Sequence, residues 1–181
     1  MPREAHALAT PLLAYLEAIE AALATGSKRI GVIGTKATVR SRAYQELLER
    51  ANPSLAIKAQ SCPLFVPLAE EGWARSRTAQ DVAREYLKCF NGRVDILILG
   101  CTHYPLLKGV IAKALPEVTL IDSAVAVARQ THALLLEHEL TSNRTKQGRT
   151  TYYLTDDSPV FYDLVKTIMK EDVKPVITDH V

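Results

Sequence analysis

The stretch Asp95-Ile-Leu-Ile-Leu-Gly100 places four large apolar residues in a row before a glycine. Successive side chains of a strand point to opposite faces, so an unbroken apolar run requires cover on both. A parallel sheet sandwiched between helices supplies that cover. Arg29-Ile-Gly-Val-Ile-Gly34 repeats the pattern, and shorter strands are expected from Leu55 to Ser61-Cys62, over Val118–Ile121 and over Thr151–Leu154. Helical spacing fills the intervals. An amphipathic helix over 8–24 carries Leu12, Leu13, Leu16, Ile19 and Leu23 on one side. A second starts at Thr35 to Thr38, carries Tyr44, Leu47 and Leu48, and ends near Asn52-Pro53. Others run from about Thr78 to Phe90, from Pro105 to Leu115, from Ala124 to Leu140 and from Pro159 to Met169. Pro63-Leu-Phe-Val-Pro67 reads as an ordered apolar loop, because its two prolines argue against regular helix. Thr141 to Thr150 reads as a polar, mobile loop. The expected fold is α/β, three layers αβα around a mainly parallel sheet, with residues 1–28 as an N-terminal amphipathic helix ahead of an α/β domain over 29–181.

The length of 181 residues fits one domain, or one with a small extra lobe, and 48% hydrophobic residues allow a sizeable core. A net charge of +2 argues against a nucleic-acid or membrane-surface partner. The three cysteines, Cys62, Cys89 and Cys101, form no Cys-x-x-Cys pair. That pattern points away from a disulfide framework or a metal site and towards a reducing compartment. Glu4, Glu17 and Glu20 spoil any signal peptide at the N-terminus, and no apolar run is long enough for a membrane span, so a cytoplasmic protein is expected.

Ligands of such sheets bind beyond the carboxyl ends of the strands. Thr35, Cys62, Cys101 and Ser123 all fall at or just past expected strand ends. Cys101 is followed by Thr102 and His103, and an imidazole or free helix N–H groups beside a thiol favour thiolate. A lone cysteine is more often an inert core residue; the position after a strand end, with Thr102 and His103 adjacent, favours the reactive reading. Gly34-Thr-Lys-Ala-Thr38 presents backbone N–H groups and hydroxyls suited to an anion, although for this stretch taken alone simple helix capping by Thr35 or Thr38 is the favoured account. Glu70 or Glu71 offers a carboxylate to orient an imidazole, or a solvated pair of charges. Thr155-Asp-Asp-Ser158 reads as a turn and helix cap.

Gly100-Cys-Thr-His-Tyr-Pro-Leu-Leu107 resembles the second catalytic cysteine signature of glutamate racemases, in the aspartate/glutamate racemase superfamily. Gly31-Val-Ile-Gly-Thr-Lys-Ala-Thr38 with Ser41 and Tyr44, Cys62-Pro-Leu-Phe-Val-Pro-Leu-Ala-Glu-Glu-Gly72, Asp122-Ser123 and Thr155-Asp-Asp-Ser-Pro159 are similar to that family in the same order, from about Ile30 to Phe161. The resemblance implies cofactor-independent inversion of the α-carbon of L- and D-glutamate, supplying D-glutamate for peptidoglycan. It implies Cys101 as an acid/base, His103 assisting the thiol and Glu70 holding the imidazole. It puts Thr35, Thr38 and Thr102 near the substrate's carboxylates and amino group. The family's Asp-Ser-Gly and Cys-Asn-Thr strings do not occur here. The chain therefore reads as one Rossmann-like lobe, the second half of a two-lobed enzyme. It would act with a homodimer mate or a complementing chain. The alternative is a catalytically incomplete lobe that serves as a binding or dimerisation module. A Cys-His hydrolase is a third reading, supported by little beyond Cys101 and His103.

Overall fold

A computed structural model describes residues 15–179 apart from 143, 144, 147, 149 and 171. Four parallel strands form the main sheet: β1 (Arg29–Gly34), β2 (Ala56–Ser61), β3 (Ile96–Gly100) and β4 (Thr119–Asp122), in the order β2-β1-β3-β4. The two most apolar runs are thus the two central strands. Leu97 and Leu99 point into one core, with Ile33, Phe65, Leu87, Phe90, Leu107 and Ile111. Ile96 and Ile98 point into the other, with Ile19, Ile30, Val32, Tyr44 and Leu48. One strand feeding two cores is the direct outcome of period-two alternation within a continuous apolar sequence.

Helix α1 (15–23) covers the second face together with α3 (Ala43–Ala51). Its Ala18, Ile19 and Ala22 are buried, and Tyr15 meets Tyr44 edge-on at 4.4 Å. Leu12 and Leu13, expected on the same stripe, lie outside the described residues. The first face is covered by α4 (Phe65–Glu70), α5 (Arg77–Leu87), which continues as a 3-10 turn at Lys88–Phe90, and α6 (Lys108–Ala114), preceded by a 3-10 turn at Tyr104–Leu107. α7 (Ser123–Glu137) leaves Val125, Leu134, Leu135 and Leu136 exposed. β5 (Tyr153–Leu154), α8 (Pro159–Met169) and β6 (Val176–Ile177) complete the chain, with β5 and β6 pairing in parallel. Among the described residues no helix is long and apolar enough to cross a membrane.

Three local expectations need correction. The helix after β1 is two helices, α2 (Lys36–Ser41) and α3, because Arg42 adopts a left-handed φ of 57° and ends the first. The second correction concerns the apolar proline loop, half of which is helical. α4 starts at Phe65 after Leu64, so Pro67 occupies the third helical position. The first N–H groups of a helix have no intrahelical acceptor, and a proline there loses nothing. Pro67→Ala is accordingly expected to lower stability by about 0.5 kcal/mol through the unfolded chain, where removal of a mid-helix proline would raise it by about 3 kcal/mol; urea unfolding reads the sign. Third, β6 is unannounced, since two residues carry no periodicity. Asn143, Arg144, Gln147 and Arg149 of the expected mobile loop lie outside the described residues.

Candidate functional site

Register fixes what meets at the carboxyl end of the sheet. Gly34 pairs with Ser61 on one side and Gly100 on the other, and Leu99 pairs with Asp122. Thr35, Cys62 and Cys101 therefore leave three adjacent strands at the same level, with Ser123 beginning α7 beside them. No side chain fits at Gly100: a Cβ there would stand 2.8 Å from the Ile33 carbonyl oxygen and 2.8 Å from the Tyr44 ring. The strand ends therefore close up directly below Cys101.

After Gly100 the chain turns, with the Tyr104 N–H donating to the Cys101 carbonyl at 3.1 Å. This turn folds His103 back towards the thiol. Its Nδ1 lies 3.9 Å from Cys101 Sγ and 3.5 Å from Thr102 Oγ1, and its Nε2 lies 3.1 Å from Glu70 Oε1. Nε2 is thus at ion-pair distance from the carboxylate, and Nδ1 is the ring nitrogen that faces the thiol. The chain carboxylate–imidazole–thiol is complete. It is also half-open, since the side chains of His103 and Glu70 are 29% and 47% exposed. α4 brings Glu70 rather than Glu71 to the imidazole. A cleft of about 440 Å³ adjoins Glu70, bounded by Arg75, Pro105 and Leu106 and across from them by Asp163, Leu164 and Thr167 of α8.

Thr35 and Thr38 stand together at the end of β1. Thr35 caps α2 by accepting the Thr38 N–H at 3.2 Å, and the two hydroxyls are 3.0 Å apart. Capping uses one lone pair of Thr35 and the bond between the hydroxyls uses one hydrogen, which leaves one hydroxyl hydrogen and further lone pairs at the rim. Ser41 turns away and donates to the Thr38 carbonyl at 2.8 Å.

Cys62 is fully buried. Burial, and then the neighbouring Cys89, push its thiol pKa well up, and its Sγ rests 3.9 Å from the Gln60 carbonyl. Cys89 sits on the 3-10 turn after α5 with its thiol towards the Tyr86 carbonyl at 3.6 Å. Sequence reasoning passed over Tyr104, which is fully buried and donates its hydroxyl to the Cys62 carbonyl at 2.9 Å. A tyrosine between His103 and Pro105 was the available signal.

The family profile Asp/Glu/Hydantoin racemase matches residues 5–131, and so takes in the helix ahead of Ile30. A glutamate racemase of Aquifex aeolicus is 46% identical over 162 residues, covering 90% of this chain and 60% of that protein. One of Geobacter metallireducens is 45% identical, covering 82% and 57%. Among solved structures, the glutamate racemase of Francisella tularensis in complex with D-glutamate superposes with a TM-score of 0.81 at 32% identity. It is matched over 91% of this chain and 62% of its own. That of Thermus thermophilus in complex with β-chloro-D-alanine gives 0.75 at 39% identity, with the same coverage. The chain spans about 60% of the length of these relatives. Matched by that profile over residues 5–131, and 46% identical to the Aquifex aeolicus enzyme across 90% of its length, the chain belongs to the Asp/Glu/Hydantoin racemase family.

Proposed function

We propose that this chain supplies one face of a glutamate racemase active site, with Cys101 as the acid/base on that face. The observation that carries the reading is the Glu70–His103–Cys101 chain at the end of a central strand. His103 takes the thiol proton, Glu70 holds the imidazolium so formed, and the Cys101 thiolate removes the α-proton of glutamate. The electron pair left on the α-carbon delocalises into the adjacent carboxyl, and a proton delivered to the opposite face completes inversion. Thr35, Thr38 and Thr102 bind the substrate's carboxylates and amino group. No cofactor enters these steps.

The second proton donor has to stand across the substrate from Cys101, because one rigid thiol cannot reach both faces of a planar carbanion. Cys62 and Cys89 are both engaged elsewhere. Neither serves as that donor, and the reading assigns the role to a homodimer mate or a complementing chain. The exposed Val125, Leu135 and Leu136 of α7 support such a partner. The product would be D-glutamate for peptidoglycan, made in the cytoplasm.

Incubation of the chain with L- or D-glutamate in deuterium oxide tests the reading. Expected is loss of the α-proton NMR signal, with inversion by the chain alone if a second copy is the partner, and from one enantiomer without inversion until the partner is added if it is a complementing chain. Absence of exchange from both enantiomers at high protein concentration would sink the proposal. In Glu70→Gln, exchange is expected to fall by about 10²-fold, the lower end of the range for acid/base catalysis.

A further inference from the structure

We propose that Tyr104 is a positioning residue for the Cys101 thiol, acting by clamping the start of α4 to the turn that carries His103. The inference rests on reading Cys101, His103 and Glu70 as one proton-transfer unit. That unit is assembled from two separate pieces of chain. Cys101 and His103 follow β3, whereas Glu70 ends α4, which follows β2. The 3.1 Å contact between His103 and Glu70 is exposed enough that water competes for both partners. Something else must hold the pieces in register.

Tyr104 joins them at a buried point. Its backbone N–H closes the turn onto the Cys101 carbonyl at 3.1 Å. Its hydroxyl reaches across 42 residues of sequence to the Cys62 carbonyl at 2.9 Å. That same carbonyl accepts the N–H of Phe65, the first residue of α4, at 3.1 Å. The Phe65 ring stands edge-on to the Tyr104 ring at 5.2 Å and to Tyr86 at 5.5 Å. α4 is one short helix, so an anchor at Phe65 sets where Glu70 emerges about one and a half turns later. Burial pushes the Tyr104 phenol pKa well up, which keeps it a hydrogen donor wherever the enzyme works. A core aromatic that only filled space would need the ring and not the hydroxyl. The inference also gives Cys62 its part, through its carbonyl rather than its sulfur.

Alkylation of Cys101 by iodoacetamide, followed by peptide mass spectrometry near pH 7 and about pH 10, separates positioning from packing. Thiolate is the reacting species, so a proton-transfer unit of Cys101, His103 and Glu70 is expected to show in the rate near neutral pH. Near pH 10 any accessible thiol reacts freely. Tyr104→Phe keeps the ring and loses the bond. It is expected to lower the ratio of the two rates by about fivefold, the scale of one hydrogen bond, with Glu70→Ala lowering it at least as far. Phe65→Leu loosens the same joint from the α4 side and is expected to move the ratio in the same direction. An unchanged ratio in Tyr104→Phe and Phe65→Leu while Glu70→Ala lowers it would overturn the inference alone. So would an equal fall at both pH values, which reports access. An unchanged ratio in Glu70→Ala would overturn the proton-transfer unit and the inference with it.

Discussion

Cys101→Ala is expected to slow α-proton exchange in glutamate by about 10³-fold, the middle of the range for a positioned acid/base group. The size follows from what is left when the sulfur is removed. His103 Nδ1 is turned towards the thiol, 3.9 Å away, and its other nitrogen is held by Glu70. On the proposed reading the imidazole stands behind the thiol, one group further from the α-carbon. Thr102 and the Thr35–Thr38 pair offer hydroxyls, which are far weaker bases than thiolate at neutral pH. Cys101→Ser is expected to fall nearly as far for the same reason. Cys89→Ala leaves the rate at the wild-type level, because Cys89 faces the Tyr86 carbonyl on the far end of α5. The decay of the α-proton signal in deuterium oxide measures all three variants. Exchange in Cys101→Ala at the wild-type rate would remove Cys101 from the chemistry.

The layers and the rim were legible because their causes are local. An apolar run such as Ile96 to Leu99 has only one stable setting, a strand covered on both faces, and the glycine that follows marks where it stops. Thr35, Cys62, Cys101 and Ser123 could be set on one edge without coordinates, since parallel strands bring all their carboxyl ends to the same side. What could not be read were features fixed by tertiary contact. Nothing in Arg42 announces a left-handed residue. Pro67 breaks a helix or starts one depending on where the first turn falls, and that is set by Phe65 docking against Tyr104 and Tyr86. The local sequence leaves Glu70 and Glu71 open; position in the family-like motif selects Glu70, the residue α4 turns towards His103. Tyr104 and Cys62 are 42 residues apart, and no spacing rule links them.

Gly100→Ala is expected to lower stability by about 3 kcal/mol, towards the upper end for forcing a methyl into a filled site. For a chain of this size that is a fall in melting temperature of about 6–12 °C. Gly100 has an ordinary φ, so space alone makes the demand. The added carbon would stand 2.8 Å from the Ile33 carbonyl oxygen, and β1 cannot retreat because it is bonded to β2 on its other edge. It would also stand 2.8 Å from the Tyr44 ring, which is held from behind by Tyr15. Gly31→Ala is the matched comparison. Its Cβ would also come to 2.8 Å of a neighbour, but that neighbour is the end of the Leu97 side chain, followed by Phe90 ring atoms at 3.1 Å. Side-chain ends can shift where a paired backbone cannot, so about 1 kcal/mol is expected there. Gly34→Ala falls between them, because it pushes on Thr38, whose Cβ is itself only 2.9 Å away. Thermal melts of the three variants give the order directly. If Gly31→Ala costs as much as Gly100→Ala, the rigidity assigned to the strand end beneath Cys101 is wrong. If the order holds, Gly100 is the residue that allows a thiol, an imidazole and two threonines to crowd onto one edge of this sheet.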